Sequence, residues 1–269
     1  MRAVGNNPND ISDFTSPVLT KTLMTLDDVS VTGFTEVDTD TLKIEWTHTS
    51  GALRYDVDVS TDSDFSIGSV IITSNTANKY AVFGNTGVGT LTPNTTYYFR
   101  LKAYYNDEEA GYLEMGSTST LAAIPTGFDF DGVYASSVTL KWNSNDNPGH
   151  TVYKVRYESD NDSGSKLFSG LGTGELSAVL TSLKDATTYT FYLSAINNNS
   201  VQTAESSIST TTVKLVNAVK TIGSSGGTIN FNPGNGSSID LDVPSNAFSS
   251  NTTVTIKIPD TTPSSNTSL

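Results

Sequence analysis

Cysteine is absent from all 269 residues, and that absence removes disulfides, zinc–thiolate sites and thiol nucleophiles together. Any fold adopted here is held by its apolar core alone. Long apolar runs are also missing, so no segment reads as a membrane-spanning helix and membrane insertion is not expected. Cations are scarce: 15 Lys and Arg stand against 28 Asp and Glu, a formal net charge of -13. Such a balance repels phosphate backbones, and with no clustered basic patch nucleic acid is excluded as a partner. The acidic residues form no long block, which reads as a solvated surface that keeps the protein in solution. Histidine occurs twice, at His48 and His150, each beside an expected loop and without a serine in a G-x-S-x-G context. Both read as solvated loop residues. The first residues, MRAVGNNPNDISDFTSPVLTKTL, lack the apolar core of a secretory signal, so an exported chain is expected to be a processed or partial one.

What is present is a series of short Val, Ile, Tyr and Phe runs separated by Ser, Thr, Asn, Asp and Gly, a composition that fits half-buried strands and predicts an all-β class. Leu42, Ile44 and Trp46 alternate with Lys43 and Glu45; Tyr55, Val57 and Val59 alternate with Asp56 and Asp58. Period-2 alternation puts one face inward and one in water. The same holds for Tyr97, Phe99, Leu101 and Ala103. The pattern then returns in Val138, Leu140 and Trp142, in Tyr153, Val155 and Tyr157, and in Tyr189, Phe191, Leu193 and Ala195. Trp46 and Trp142 are 96 residues apart, and Tyr97 and Tyr189 are 92 apart. That period is one sandwich-sized module duplicated, with Pro125 marking a short junction and a stiff, extended pair expected.

TLKIEW, RYDVDVS and LTPNTTYYFRLKAY resemble the Trp strand, the Tyr strand and the L-x-P-x-T-x-Y stretch of fibronectin type III domains. SVTLKW, VYKVRY and LKDATTYTFYLSA resemble a second copy, departing from the first where Asp185 replaces the usual Pro and Tyr192 stands where the first copy has Arg100. The resemblance covers residues 27–121 and 124–214 and implies two tandem seven-strand sandwiches. It implies a core containing Trp46, Tyr55, Tyr97, Trp142, Tyr153 and Tyr189, with the hydroxyls of Tyr97 and Tyr189 pinning the loops that precede them.

Residues 216–269 break the period. GGTINF, IDLDVPSNAF and TVTIKI resemble the opening strands of the β-sandwich found beside ankyrin and netrin-receptor domains and of related bacterial surface-protein repeats, and imply a partial third sandwich. Its expected assembly strands contain Ile229, Phe231, Ile239, Leu241, Val254 and Ile256. Residues 1–26 form an N-terminal extension whose stretch PVLTKTLMTL, with Val18, Leu19, Leu23 and Leu26, is apolar enough to dock as a donor strand.

Candidate chemistry is thin. Asp56 with Asp58, Asp62 with Asp64, Asp129 with Asp131, Asp160 with Asp162 and Asp240 with Asp242 lie at i,i+2 spacing, on the wet strand face where they solubilise. Asp62 and Asp64, or Asp160 and Asp162, supply only a minority of a calcium shell. GSSGG at 223–227 is a turn without the Lys of a phosphate loop. Tyr98, Tyr104, Tyr105 and Tyr112 are weighed as a contact surface or as packing. Six N-x-[ST] sequons, at Asn94, Asn161, Asn198, Asn235, Asn251 and Asn266, fit glycosylation or simply an Asn-rich composition. No catalytic residue, cofactor site or metal site is expected. The expected function is a non-catalytic structural protein, outside the cell or at its surface, belonging to a matrix or filament. It would self-associate head-to-tail through strand complementation. The alternatives are a spacer or binding module of a larger secreted polysaccharide-active enzyme, or an adhesin or receptor fragment binding protein or glycan.

Overall fold

The computed structural model describes residues 26, 28–47, 50–105, 108–215, 217–231 and 238–257. Val18, Leu19, Leu23 and His48 lie outside them. Among the described residues there is no helix, hence none long and apolar enough to cross a membrane.

The first module contains β1 (Val31–Thr35), β2 (Thr41–Trp46), β3 (Arg54–Ser60), β4 (Val70–Thr76), β5 (Tyr80–Gly84), β6 (Thr96–Tyr105), β7 (Glu108–Glu109) and β8 (Leu113–Ser119). One sheet runs β1-β2-β5; the other runs β4-β3-β6, with β7 and β8 both on the far side of β6. The second module repeats this with β9 (Thr126–Val133), β10 (Ser137–Asn143), β11 (Val152–Ser159), β12 (Asp162–Phe168), β13 (Glu175–Thr181), β14 (Thr188–Ile196) and β15 (Ser206–Thr211). Its sheets are β13-β10-β9 and β12-β11-β14-β15.

The duplication extends to register. Tyr55, Val57 and Val59 face Ala103, Leu101 and Phe99 across β3 and β6, as Tyr153, Val155 and Tyr157 face Ala195, Leu193 and Phe191 across β11 and β14. Antiparallel pairing keeps opposite residues on one face, so each sheet presents a continuous apolar surface to its partner sheet. Trp46 crosses to Tyr55 with ring centroids 5.4 Å apart, and Trp142 crosses to Tyr153 at 5.5 Å. All four rings are almost fully buried. Leu26 is also buried, packed into the first module's own core.

Two tyrosines tie the loops to these cores. The Tyr97 hydroxyl accepts the Thr92 N–H at 2.9 Å, and the Tyr189 hydroxyl accepts the Lys184 N–H at 2.9 Å. Tyr189 additionally donates to Asp162 Oδ2 at 2.7 Å. Each bond spans the same five-residue step back from the strand, so the two corners are built alike.

The third segment contains β16 (Asn217–Ile222), β17 (Gly227–Phe231), β18 (Ile239–Val243) and β19 (Thr252–Lys257). They form two separate two-stranded sheets, β16-β19 and β17-β18. The 223–227 glycine-rich string is the turn between β16 and β17; at Gly226, with φ +73°, any side chain would collide with the Val243 carbonyl.

Removing one hydroxyl tests the corners. Tyr97→Phe leaves the Thr92 N–H unpaired and should cost about 1–2 kcal/mol. Tyr189→Phe should cost more, because Asp162 also loses a donor. Urea unfolding should show lower midpoints at unchanged m-value; unchanged midpoints would mean the loops hold without these bonds.

Candidate interaction surfaces

Reactive groups do not converge. Among the described residues no group of three or more His, Asp or Glu could hold a metal ion. The Asp62 carboxylate instead accepts the backbone N–H groups of Asp64 and Ser66, each at 3.1 Å, closing its own loop. Hydrogen bonds from Ser66 and Asp64 hold its pKa below the usual range. Asp162 is occupied by Tyr189. The solvated reading of Asp58 needs correction: it is 5% exposed. Both Nε and Nη2 of Arg100 reach its Oδ2, at 3.1 and 3.0 Å, and Thr73 donates to its Oδ1 at 2.7 Å. Its neighbours on the sheet shut it off from water, so alternation alone misjudges it.

The tyrosines divide. Tyr105 is 6% exposed and belongs to the first core. Tyr104 lies over the Arg54 guanidinium at 3.6 Å, and its hydrogen bond to Asp56, with burial, pushes the phenol up to about 12. Tyr112 is covered on one side by Arg100 at 3.8 Å and Lys102 at 4.5 Å. Tyr98 is half-buried. Tyr104 and Tyr112 thus hold down cations of the β3–β6 sheet.

The departure at Tyr192 has a clear structural meaning. Asp58 faces Arg100 across the first module's sheet, and Arg156 faces Tyr192 at the equivalent place in the second. A cross-strand ion pair is replaced by a guanidinium stacked at 3.6 Å on a phenol. Arg156 then also binds Glu158 at 2.7 Å and Glu205 at 2.9 Å, and Tyr192 donates to Glu158 at 2.6 Å.

A dense polar cluster lies between the modules, where composition alone gave no signal. Asn94, in the loop before β6, is 1% exposed. It donates through Nδ2 to Thr151 Oγ1 at 2.8 Å and accepts the Asn198 N–H through Oδ1 at 2.7 Å. Asn197 donates to the Thr120 carbonyl at 3.0 Å, and Asn199 donates to Thr118 Oγ1 at 3.0 Å. Asn147 binds both the N–H and the carbonyl of Ala123 in the connecting segment, at 2.8 and 2.7 Å. His150, expected in a solvated loop, is exposed but its Nε2 sits 3.2 Å from the Asn94 carbonyl oxygen. Two sequon asparagines are thereby accounted for: Asn94 is buried in the joint, and the Asn198 side chain donates to Thr96 Oγ1 at 3.1 Å. Asn161 and Asn251 are exposed, and Asn235 and Asn266 lie outside the described residues.

The third segment presents the other candidate surface. An open cleft of about 460 Å³ is lined by residues 217–220 of β16 and 228–231 of β17. Among the described residues β16 pairs with β19 and β17 with β18, and no ladder joins β16 to β17 across the cleft. Lys220 reaches across to the Thr228 carbonyl at 2.7 Å. Ile229 faces Leu241 and Phe231 faces Ile239. The first of each pair is 2% exposed, whereas Leu241 and Ile239 are 40% and 51% exposed. Val254 and Ile256 are half-buried on β19.

Residues 123–212 match the family described as the fibronectin type III domain. Among solved structures, a two-domain fibronectin type III segment of chicken tenascin is 16% identical at a TM-score of 0.49, covering 68% of this chain and 98% of that one. The FN1-FN3 domains of chicken CNTN1 are 19% identical at a TM-score of 0.33, covering 71% and 67%.

Two predictions follow the polar contacts. Asn197→Ala with Asn199→Ala removes two links of the joint while sparing both cores; small-angle scattering should then show a broader spread of module orientations. An unchanged profile would mean that chain connectivity alone fixes the angle. For pH, the Arg156 hydrogen bond holds Glu205 below the usual glutamate value of 4.5, and the Tyr192 hydroxyl does so for Glu158. Each carboxyl is more acidic folded than unfolded, so its stabilisation is complete above the unfolded value and is lost as pH falls through the folded one. Stability of the second module should therefore decline with acid below about pH 4.5, and less steeply in Arg156→Gln. Equal slopes would mean that Arg156 does not set the acid sensitivity of the module.

Proposed function

We propose that this chain, a tandem of fibronectin type III sandwiches, is a non-catalytic structural protein of the extracellular space or cell surface whose copies link head-to-tail by strand addition. Tandem modules of this family are typically structural or binding elements, which supports the non-catalytic reading. The observation that carries the assembly reading is the cleft between β16 and β17, which no ladder joins among the described residues. A strand entering there would gain backbone hydrogen bonds from both edges and cover apolar side chains. The donor in this reading is the 17–25 segment of a second copy, which contains Val18, Leu19 and Leu23. Leu26 is excluded from it, because that side chain is buried in its own first module. A head-to-tail link that does not close into a ring propagates into a fibre.

The test is light scattering and electron microscopy of the full chain, with and without an added peptide of residues 17–25. Concentration-dependent chains of uniform subunit spacing that the peptide shortens are expected. A monomer at all concentrations, or assembly indifferent to the peptide, would overturn the reading.

A further inference from the structure

The third segment carries one charged side chain where its strand pattern calls for an apolar one. Antiparallel pairing sets Ala218, Lys220 and Ile222 of β16 against Ile256, Val254 and Thr252 of β19, so these six share one face of the two-stranded sheet. It is the inner face. Ile222 is 2% exposed and Val254 and Ile256 are half-buried, whereas Val219, on the opposite face, is 61% exposed. Lys220 therefore stands in an otherwise largely apolar row.

From that row its side chain spans the cleft between β16 and β17. Nζ donates to the Thr228 carbonyl of β17 at 2.7 Å, and both residues line the cleft. The bond thus bridges two sheets that no ladder joins among the described residues. Among those residues the Lys220 side chain has no other hydrogen bond and no ion pair.

We propose that Lys220 gates this cleft: its side chain lies across the path of an entering strand and must be displaced before that strand can pair. The inference rests on the strand-addition reading and names what restrains it. Inward-pointing charges guard sheet edges, because a strand laid over them takes the charge out of water. Lys220 opposes entry twice. In the free chain its bond to Thr228 must be broken, and in the filled cleft its ammonium must be left without a carboxylate or turned out to solvent. The 17–25 segment, PVLTKTLMT, brings no carboxylate to offset this and adds a lysine of its own, Lys21. Lys220 is exposed and its stem is flexible, so the ammonium can swing to water at the mouth of the cleft. The gate therefore weakens entry without forbidding it, and holds back linkage between copies at low concentration.

A labelled peptide of residues 17–25, titrated with the full chain and followed by fluorescence anisotropy, tests this. Lys220→Ala removes the reach without adding apolar surface. It should bind the peptide roughly 5-fold or more tightly than the natural chain, because a bond to a charged group is lost from the free state alone. Lys220→Met, which keeps the stem and loses the charge, should do the same, so a folding defect in one variant does not decide the result. Lys220→Arg keeps both charge and reach and should bind as the natural chain does. Equal or weaker binding by the Ala and Met variants, or equally tightened binding by the Arg variant, would overturn the gate and leave strand addition standing. Absence of binding by the natural chain and all three variants would overturn both.

Discussion

Everything else in this molecule depends on contact across each sandwich between an indole and a phenol ring: Trp46 on Tyr55, and Trp142 on Tyr153. With no cysteine to tie the sheets together, burial of these rings and their aliphatic neighbours must hold the layers. Truncating a buried aromatic of this size costs roughly 3–5 kcal/mol, a large share of a small domain's stability. The register of the surrounding strands is the same in both modules, so that this contact falls at the same place twice. Once the sheets are fixed, the tyrosine hydroxyls of Tyr97 and Tyr189 can reach back and set the loops, and one of those loops carries Asn94 into the joint.

The joint is polar where the cores are apolar. Buried amides must be hydrogen-bonded or they destabilise the structure, and Asn94, Asn147 and Asn197 all find partners across or along the connection. Amide geometry is directional, so such a joint specifies an angle as well as a contact. A defined angle suits a protein that transmits position along its length.

Strand positions and core faces were legible in the residues because each sandwich sheet has one dry and one wet face, which writes period 2 into the chain. The Trp and Tyr core positions were legible for the same reason, reinforced by their recurrence. What was not legible depends on partners distant in the chain. Asn94 and Asn198 are 104 residues apart, and in an Asn-rich sequence neither stands out; the sequon reading drew attention to them for a different chemistry. Asp58 reads as solvated by alternation because nothing local reveals that Arg100 and Thr73 close over it. Tyr105, open in the sequence between contact surface and packing, is buried at the end of β6, where β7 pairs beside it.

If the asparagine joint fixes the two sandwiches, they tumble in solution as one body. Backbone ¹⁵N relaxation, measured residue by residue in both modules of the dilute chain, tests it most directly. A fixed joint requires the two modules to share a single anisotropic tumbling tensor. Separate, faster tumbling times for residues 28–120 and 126–212 would contradict it.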